Sequence, residues 1–232
     1  MEALHAIRTS DWWRLAQQVP DRHYDISKKV FLADHLERVR ANLCFLDPAA
    51  DGGSYPAQFR AAMVSAGMDP ADARRLLEPV ALLHDLGKVR EDKEAEGAHP
   101  LTGKKVRMRH PVVGVIAALE ILPSSLKGRE RVLALVEEHD TPYSWYKQFE
   151  RSGQVPKEKS WARLDRAIAD REDGTGIILL CAFKLADIDG HAEVDDVIWF
   201  IDQANQCYLR QKGKWLPIPE TQDVRGIEAA SQ

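Results

Sequence analysis

Most of the chain carries apolar residues at intervals of three and four, which is the spacing of an amphipathic helix. One such series, between Val30 and Leu46, predicts a long helix that begins near Ser27 and ends before Asp47-Pro48. Proline and glycine positions predict further helices at about residues 56–67, 70–86, 111–122, 128–138, 161–170, 176–187 and 195–211. The sequence shows no convincing alternation of apolar and polar residues. We therefore predict an all-α bundle.

Two stretches interrupt this helical pattern. Residues 88–109 carry mixed charge without periodicity and predict a long irregular connection. Pro217 and Pro219 introduce a tail at residues 217–232, for which we expect poor order. The sequence contains no internal repeat, low-complexity segment or shift in composition before that tail. We therefore expect one domain over residues 1–216.

The composition is typical of a globular chain of 232 residues, with 44% hydrophobic and 29% charged residues. The net charge of −4 gives no overall attraction for extended duplex nucleic acid or for an anionic membrane. The longest apolar run, Ile177–Phe183, falls far short of the roughly 20 residues of a transmembrane helix. Three cysteines without a CxxC spacing predict neither disulfides nor a cysteine zinc site, and the expected compartment is the cytoplasm.

The most informative feature is a set of histidines and aspartates spread over the predicted helices. Four histidines lie in helical, partly apolar contexts; one is followed directly by an aspartate, and another aspartate closes a later helix. These residues are His35, His84, Asp85, His110, His139 and Asp187. Their separations run from 26 residues (His84 to His110) to 49 residues (His35 to His84), which lets one helix end and another return between them. The pattern predicts that five helices deliver ligands into one bundle interior.

Imidazole and carboxylate together suit Mn, Fe, Zn, Ni or Co, and an aspartate can bridge two ions through its two oxygens. We expect Asp85 to take that bridging position, with His84 bound to one ion. Two ions with a hydroxide between them would supply a nucleophile at neutral pH and stabilise the attacking and leaving oxygens. The alternative is that these histidines are unrelated helix residues, which the complete set at such spacings argues against.

Three segments resemble the motifs of the HD phosphohydrolase superfamily. Ala81–Lys88 is similar to the superfamily signature, Asp34–Val39 to its first-histidine motif and Lys184–Asp187 to its terminal aspartate motif. The resemblance implies an all-helical bundle around a metal site. His110 and His139 occupy the positions of the two extra histidines found in binuclear members. The resemblance therefore implies two divalent transition ions on the six residues named above, Mn or Fe before Ni, Co or Zn.

The resemblance also separates branches of the superfamily. Cyclic di-GMP phosphodiesterases of the HD-GYP group share the HDxGK pattern of His84–Lys88, but this chain has Glu138–Tyr143 where their second signature is expected. Three other groups remain as candidates: diadenosine tetraphosphate hydrolases, the phosphatase modules that accompany RNA-repair kinases, and mixed-valent di-iron oxygenases. The oxygenases use the same ligand set, so the ligands alone leave the reaction class open.

Cationic residues near the predicted ligands are candidates for substrate binding. Lys88 and Arg38 follow their histidines by one helical turn, where a cation either neutralises a phosphoryl oxygen or forms an ordinary surface contact. A basic run directly before His110 is either a solvated face or an electropositive rim for a polyanionic substrate. Its cations are Lys104, Lys105, Arg107 and Arg109.

Other residues near these motifs are weaker candidates. The aromatic cluster Tyr143–Phe149 has the chemistry to stack a base, although such clusters more often pack in a core. Asp140, Tyr24, Asp189 and His191 form a second tier of polar residues close to the motifs.

The leading hypothesis is a cytoplasmic metal-dependent phosphohydrolase in which a metal-activated hydroxide attacks a nucleotide or an RNA-end phosphate ester. Asp85 and Lys88 are the predicted catalytic residues. A 2′,3′-cyclic phosphate or a 2′-phosphate would suit the basic rim, and the choice between phosphodiesterase and phosphatase stays open. Two alternatives are a mixed-valent di-iron oxygenase and a non-catalytic nucleotide-binding module.

Overall fold

The computed structural model describes residues 2–21, 30–49, 54–92, 94–188 and 194–229. Its helices are α1 (Glu2–Arg8), α2 (Asp11–Ala16), α3 (Leu32–Asn42), α4 (Ser54–Ser65), α5 (Pro70–Leu83), α6 (His110–Ile121), α7 (Arg129–Glu138), α8 (Thr141–Ser152), α9 (Glu158–Ala169), α10 (Thr175–Ala186), α11 (Asp195–Cys207) and α12 (Thr221–Ala229). Short 3-10 turns lie at Leu43–Leu46, Leu86–Val89 and Leu209–Lys212. The predicted all-α class is confirmed.

Helix α5 shows how the sequence starts and ends these elements. The Asp69 carboxylate caps its first turn by accepting a backbone N–H at 2.8 Å. Pro79 lies inside the helix, which nevertheless continues to Leu83. The 3-10 turn at Leu86–Val89 follows, so the single helix predicted over residues 70–86 is divided at His84-Asp85.

Two predicted boundaries differ from the structure. Helix α3 begins at Leu32, and the predicted start at Ser27 lies outside the described residues. The last long helix is shorter than predicted, because α11 ends at Cys207 and a separate turn, Leu209–Lys212, follows it.

The structure also contains two short strands, which the sequence pattern did not indicate. A small hairpin pairs β1 (Glu96–Ala98) with β2 (Lys105–Arg107) in antiparallel register. Two backbone N–H groups of its turn donate to Nδ1 of His99, so Nε2 carries the proton and donates to Glu137 of α7 at 2.9 Å. Strands of three residues are too short to produce a readable alternation, and this is why the sequence pattern missed them.

The C-terminal segment is packed where the sequence indicated a poorly ordered tail. Val224 and Ile227 of α12 are buried. The chain leading to that helix is held by Asn205, whose side-chain amide exchanges two hydrogen bonds with the backbone of Leu216 at 2.8 and 2.9 Å. Residues 230–232 lie outside the described part of the chain. A single domain over residues 1–216 remains a prediction.

Helix α10 lies at the centre of the molecule. Every residue from Gly176 to Ala186 is buried, as its continuous apolar sequence predicts. Its start is held by the buried Asp165 of α9, whose carboxylate accepts the backbone N–H groups of Gly174 and Gly176, each at 2.6 Å. A helix fixed in this way delivers Asp187 to a defined place directly after its last residue. Within the described residues, none of the helices has both the length and the apolar character needed to cross a bilayer.

Candidate metal centre

The histidines and aspartates predicted as metal ligands lie together in the structure. His35 projects from the first half of α3, and His110 opens α6. The others lie at helix ends: His84-Asp85 follows α5, His139 follows α7 and Asp187 follows α10. The side chains of His35, His84, Asp85 and His139 are at least 94% buried. Three helices therefore point their C-terminal ends at one buried polar centre.

The first half of the centre consists of His35, His84, Asp187 and one oxygen of Asp85. The Nε2 atoms of His35 and His84 lie 3.3 Å apart. Asp187 Oδ1 lies 3.1 Å from Nε2 of His84 and 3.6 Å from Nε2 of His35. Asp85 Oδ2 lies 3.5 and 3.6 Å from the same two nitrogens. Two imidazole nitrogens and two carboxylate oxygens thus surround one point.

The second half repeats this arrangement around His110 and His139. Their Nε2 atoms also lie 3.3 Å apart. Asp85 Oδ1 lies 3.3 Å from His110 Nε2 and 3.5 Å from His139 Nε2. Asp140 approaches the same nitrogens at 3.1 and 3.4 Å. Asp85 lies between the halves with one oxygen toward each, which is the position predicted for a bridging aspartate.

The other ring nitrogens fix the histidine tautomers. Nδ1 of His84 lies 3.0 Å from the carbonyl oxygen of Ala81, and Nδ1 of His139 lies 2.7 Å from that of Val136. A carbonyl oxygen can only accept, so both Nδ1 atoms donate, and in the neutral imidazoles both Nε2 atoms direct a lone pair into the centre. Hydrogen bonds of this kind orient metal-binding imidazoles in proteins.

The surroundings of His84, Asp85 and Asp187 favour the protonation states that bind metal ions. Burial lowers the pKa of His84 and outweighs the opposite effects of Asp187 and Asp85. Burial would raise the pKa of Asp85, but the Lys88 ammonium and the nearby histidines hold it well below its ordinary value. Lys184 and the nearby histidines do the same for Asp187. Neutral imidazole and ionised carboxylate are the forms that coordinate metals.

The pKa of His139 is shifted in the opposite direction. Burial lowers it, but the negative charge of Asp140 and Asp85 outweighs burial and raises it. Asp85 and Asp140 thus place two carboxylates beside the second histidine pair, and a divalent cation would offset their negative charge. Imidazole nitrogens with carboxylate oxygens are a donor set that fits divalent transition ions in both halves.

The sequence model of the HD domain family matches residues 58–187, which is more than half of the chain. This chain belongs to the HD domain family. Most members of that family are metal-dependent phosphohydrolases, and HD domains bind divalent metal ions. Among curated proteins and among solved structures, none gives a significant match. His35 precedes the matched segment, and the structure nevertheless places it with the other predicted ligands. We call this group the HD centre; it consists of His35, His84, Asp85, His110, His139 and Asp187.

The glycine of the HD signature permits a close approach of two elements. A Cβ atom at Gly87 would lie 2.1 Å from the carbonyl oxygen of His110 and 2.5 Å from the backbone nitrogen of Gly114. No side chain fits in that space. The turn after Asp85 can therefore pack directly on the start of α6 and bring the two halves of the HD centre together.

The last aspartate of the HD centre is positioned by two residues to which the sequence pattern assigned no role. Lys184 donates to Asp187 Oδ2 at 2.6 Å, which leaves Oδ1 facing the histidines. Asn42, two turns after His35 on α3, donates to the carbonyl oxygens of Ala186 and Ile188 at 2.8 and 3.2 Å. The spacing of three residues between Lys184 and Asp187 was a readable signal, whereas the contact of Asn42 spans more than 140 residues.

His110 also has an unpredicted partner. Glu91 Oε1 accepts the backbone N–H of His110 at 3.1 Å and lies 3.3 Å from its Nδ1. The Glu91 side chain is only 4% exposed. It belongs to the stretch expected to be irregular, where no periodicity marked it as buried. Its carboxylate fixes the His110 ring so that Nε2 faces the centre.

A cavity of about 530 Å³ opens beside the second half of the HD centre. Arg107 and Arg109 of the basic run line it together with His110, Asp140 and several acidic and hydroxyl side chains. Lys104 and Lys105 lie on the hairpin outside this lining, and Lys105 forms an exposed ion pair with Glu96 at 2.5 Å. The structure thus divides the four cations of the basic run between the cavity and the outer surface.

The other two predicted cations differ in their contacts. Lys88 donates to Asp85 Oδ2 at the centre, and its side chain is 22% exposed. Arg38 Nη2 lies 3.9 Å from the buried Asp21, which is the geometry of an ion pair. Lys88 therefore contacts an aspartate of the HD centre, whereas Arg38 pairs with Asp21, which is not one of the predicted ligands.

The aromatic cluster after His139 is mainly packed. Trp145 contacts Trp161 with ring centroids 4.8 Å apart, and Tyr146 and Phe149 contact Trp199 at 5.7 and 5.2 Å. Tyr143 of the same cluster is 48% exposed. Of the other second-tier residues, Asp140 lies in the centre, and Tyr24, Asp189 and His191 lie outside the described residues.

Proposed function

We propose that this HD domain protein is a phosphohydrolase that uses two divalent transition ions, Mn or Fe before Ni, Co or Zn. The observation that carries the proposal is the position of Asp85, which directs one carboxylate oxygen to each of two histidine pairs. The proposed ligands are His35, His84, Asp85, His110, His139 and Asp187. When bound, two such ions supply an activated water and polarise the phosphoryl group.

Residues of the chain itself position and stabilise the substrate. Burial opposes the charge on Lys88, but Asp85 outweighs burial and raises its pKa, so the side chain is a cation at neutral pH. Its partial exposure lets it turn from Asp85 to a phosphoryl oxygen, where it offsets the charge that develops in the transition state. Arg107 and Arg109 supply further cationic groups at the cavity beside the centre. Substrate contacts of Arg38, Lys104 and Lys105 stay predictions.

The proposed substrate is a nucleotide or an RNA-end phosphate ester. A cavity of about 530 Å³ is within the range of small-molecule sites in proteins. Arg107 and Arg109 are the cations of a lining that also carries the carboxylates of Glu91, Glu94, Glu137 and Asp140, and we propose that they bind the phosphate of a 2′,3′-cyclic phosphate or a 2′-phosphate. The net charge of −4 argues against an extended duplex.

Hydrolysis of generic esters tests this proposal. We expect Mn²⁺-supported turnover of bis(p-nitrophenyl) phosphate or p-nitrophenyl phosphate by the wild type, and the preferred ester distinguishes phosphodiesterase from phosphatase. Asp85→Ala should lose at least about 100-fold in kcat, because one substitution removes a ligand from both halves. Asp72→Ala is the matched control, since Asp72 is an exposed residue of α5.

Failure of both esters would overturn the hydrolase proposal, and two further measurements then assign the function. About two irons per chain with a mixed-valent signal in anaerobically purified protein would support the di-iron oxygenase. Nucleotide affinity without turnover would support the binding module.

A further inference from the structure

We propose that Asp140 is a ligand of the second metal ion, additional to the ligand set that the resemblance to the superfamily implies. This inference rests on the proposed binuclear centre. It makes the two halves of that centre equivalent. Each half would then contain two imidazole nitrogens, one oxygen of the shared Asp85 and one carboxylate of its own, Asp187 in the first half and Asp140 in the second.

The distances in the two halves support this equivalence. Asp187 approaches the imidazole nitrogens of His84 and His35 at 3.1 and 3.6 Å. Asp140 approaches those of His110 and His139 at 3.1 and 3.4 Å. Asp140 thus lies at distances from its histidine pair similar to those of the aspartate that the HD resemblance assigns to a metal, although Asp187 uses one oxygen and Asp140 uses both.

The place of Asp140 on its helix gives an independent argument. It occupies the position before α8 where an aspartate ordinarily caps the helix by accepting a backbone N–H. In the described structure its side chain makes no capping hydrogen bond to α8, and both carboxylate oxygens face the imidazoles instead. The carboxylate is therefore directed to the histidine pair and not to the start of α8.

Burial and access agree with this role. The Asp140 side chain is 41% exposed, whereas that of Asp187 is 9% exposed. Asp140 also lines the cavity of about 530 Å³. The second ion would therefore have its own carboxylate and still face the cavity from which the substrate enters. Retention of that ion would not require bound substrate.

Metal stoichiometry tests the role of Asp140 without reference to turnover. Protein loaded with Mn²⁺ and separated from free ions should contain two ions per chain in the wild type by elemental analysis. Asp140→Asn preserves the size of the side chain and should retain one ion, with the affinity of the second site lowered at least about 10-fold in calorimetric titration. The exchange-coupled Mn²⁺ signal in electron paramagnetic resonance should disappear with it.

Two further variants make the result specific. Glu138→Gln changes the neighbouring carboxylate, which accepts a hydrogen bond from Thr141, and should retain two ions. Asp140→Glu keeps a carboxylate and should recover part of the affinity lost in Asp140→Asn, which also excludes a general folding defect as the cause.

The possible failures are distinguishable. Two ions of unchanged affinity in Asp140→Asn would overturn the role of Asp140 and leave the binuclear centre intact. One ion or none in the wild type would overturn the binuclear centre itself, and with it the inference about Asp140.

Discussion

At the scale of single residues, the HD centre depends on the hydrogen-bond partners that orient the ligand side chains as much as on the ligands themselves. His84 and His139 donate Nδ1–H to backbone carbonyl oxygens of their own helices, a contact that any well-formed helix end provides. His110 opens its helix and lacks such a carbonyl, so Glu91 takes that role. Lys184 orients Asp187 in a comparable way. These partners lead to two predictions.

Replacing Glu91 should weaken the second metal site. In Glu91→Gln the amide can present its N–H group to His110, so the ring is no longer fixed with Nε2 toward the centre. Loss of such partners typically lowers metal affinity 10–100-fold, and we expect a decrease of about that size in Mn²⁺ titrations. Glu94→Gln, an exposed residue of the same cavity, is the control. Equal affinities in both variants would show that Glu91 does not orient His110.

The substitution Lys184→Met should destabilise the metal-free protein. Lys184 and Asp187 form a buried pair, and removing one partner of such a pair costs about 3–5 kcal/mol at pH 7. Arg75→Met, which removes an exposed ion pair of the same spacing, should cost less than about 1 kcal/mol in chemical denaturation.

The decrease in the free energy of unfolding caused by Lys184→Met should depend on pH. The folded pKa of Asp187 is lowered in the wild type, so its stabilising contribution is present above the unfolded value of about 3.9 and is lost only below it. Without the lysine the folded pKa rises, because burial is less opposed. The folded variant then binds more protons than the wild type, and the difference in stability should widen from pH 4 to pH 7. A difference independent of pH would contradict the assigned pairing.

At the scale of elements, the centre is made where helices end. The ends of α5, α7 and α10 deliver His84-Asp85, His139 and Asp187, and the break after α5 lets two adjacent residues both face the centre. In a continuous helix, neighbouring side chains diverge by about 100°. The close contact between the turn at Gly87 and the start of α6 then sets the distance between the two halves.

Gly87→Ala should separate these elements. Its methyl group would overlap the backbone of α6, and overpacking of this kind costs about 1–3 kcal/mol in the free energy of unfolding. We also expect weaker binding at the second site, because His110 is the first residue of α6. Gly226→Ala is the control: its Cβ meets open space within α12 and should be neutral or stabilising. Similar effects of the two substitutions would contradict the close approach.

At the scale of the whole molecule, helical periodicity predicted the fold class, and the long separations between histidines predicted that their helices meet. The same reasoning missed the hairpin, because its strands are three residues long. It left Asp140 in a second tier of candidates, and an aspartate directly before a helix also has the pattern of an ordinary cap. Glu91 and Asn42 act through contacts between distant parts of the chain, and no local pattern encodes such contacts.

The most direct test of the account is to locate the ions. Anomalous diffraction at the Mn absorption edge, from crystals grown with Mn²⁺, should show two peaks beside Asp85. One should lie among His35, His84 and Asp187, and the other between His110 and His139. A single peak would contradict the binuclear centre, and peaks only at the protein surface would contradict the assignment of the site.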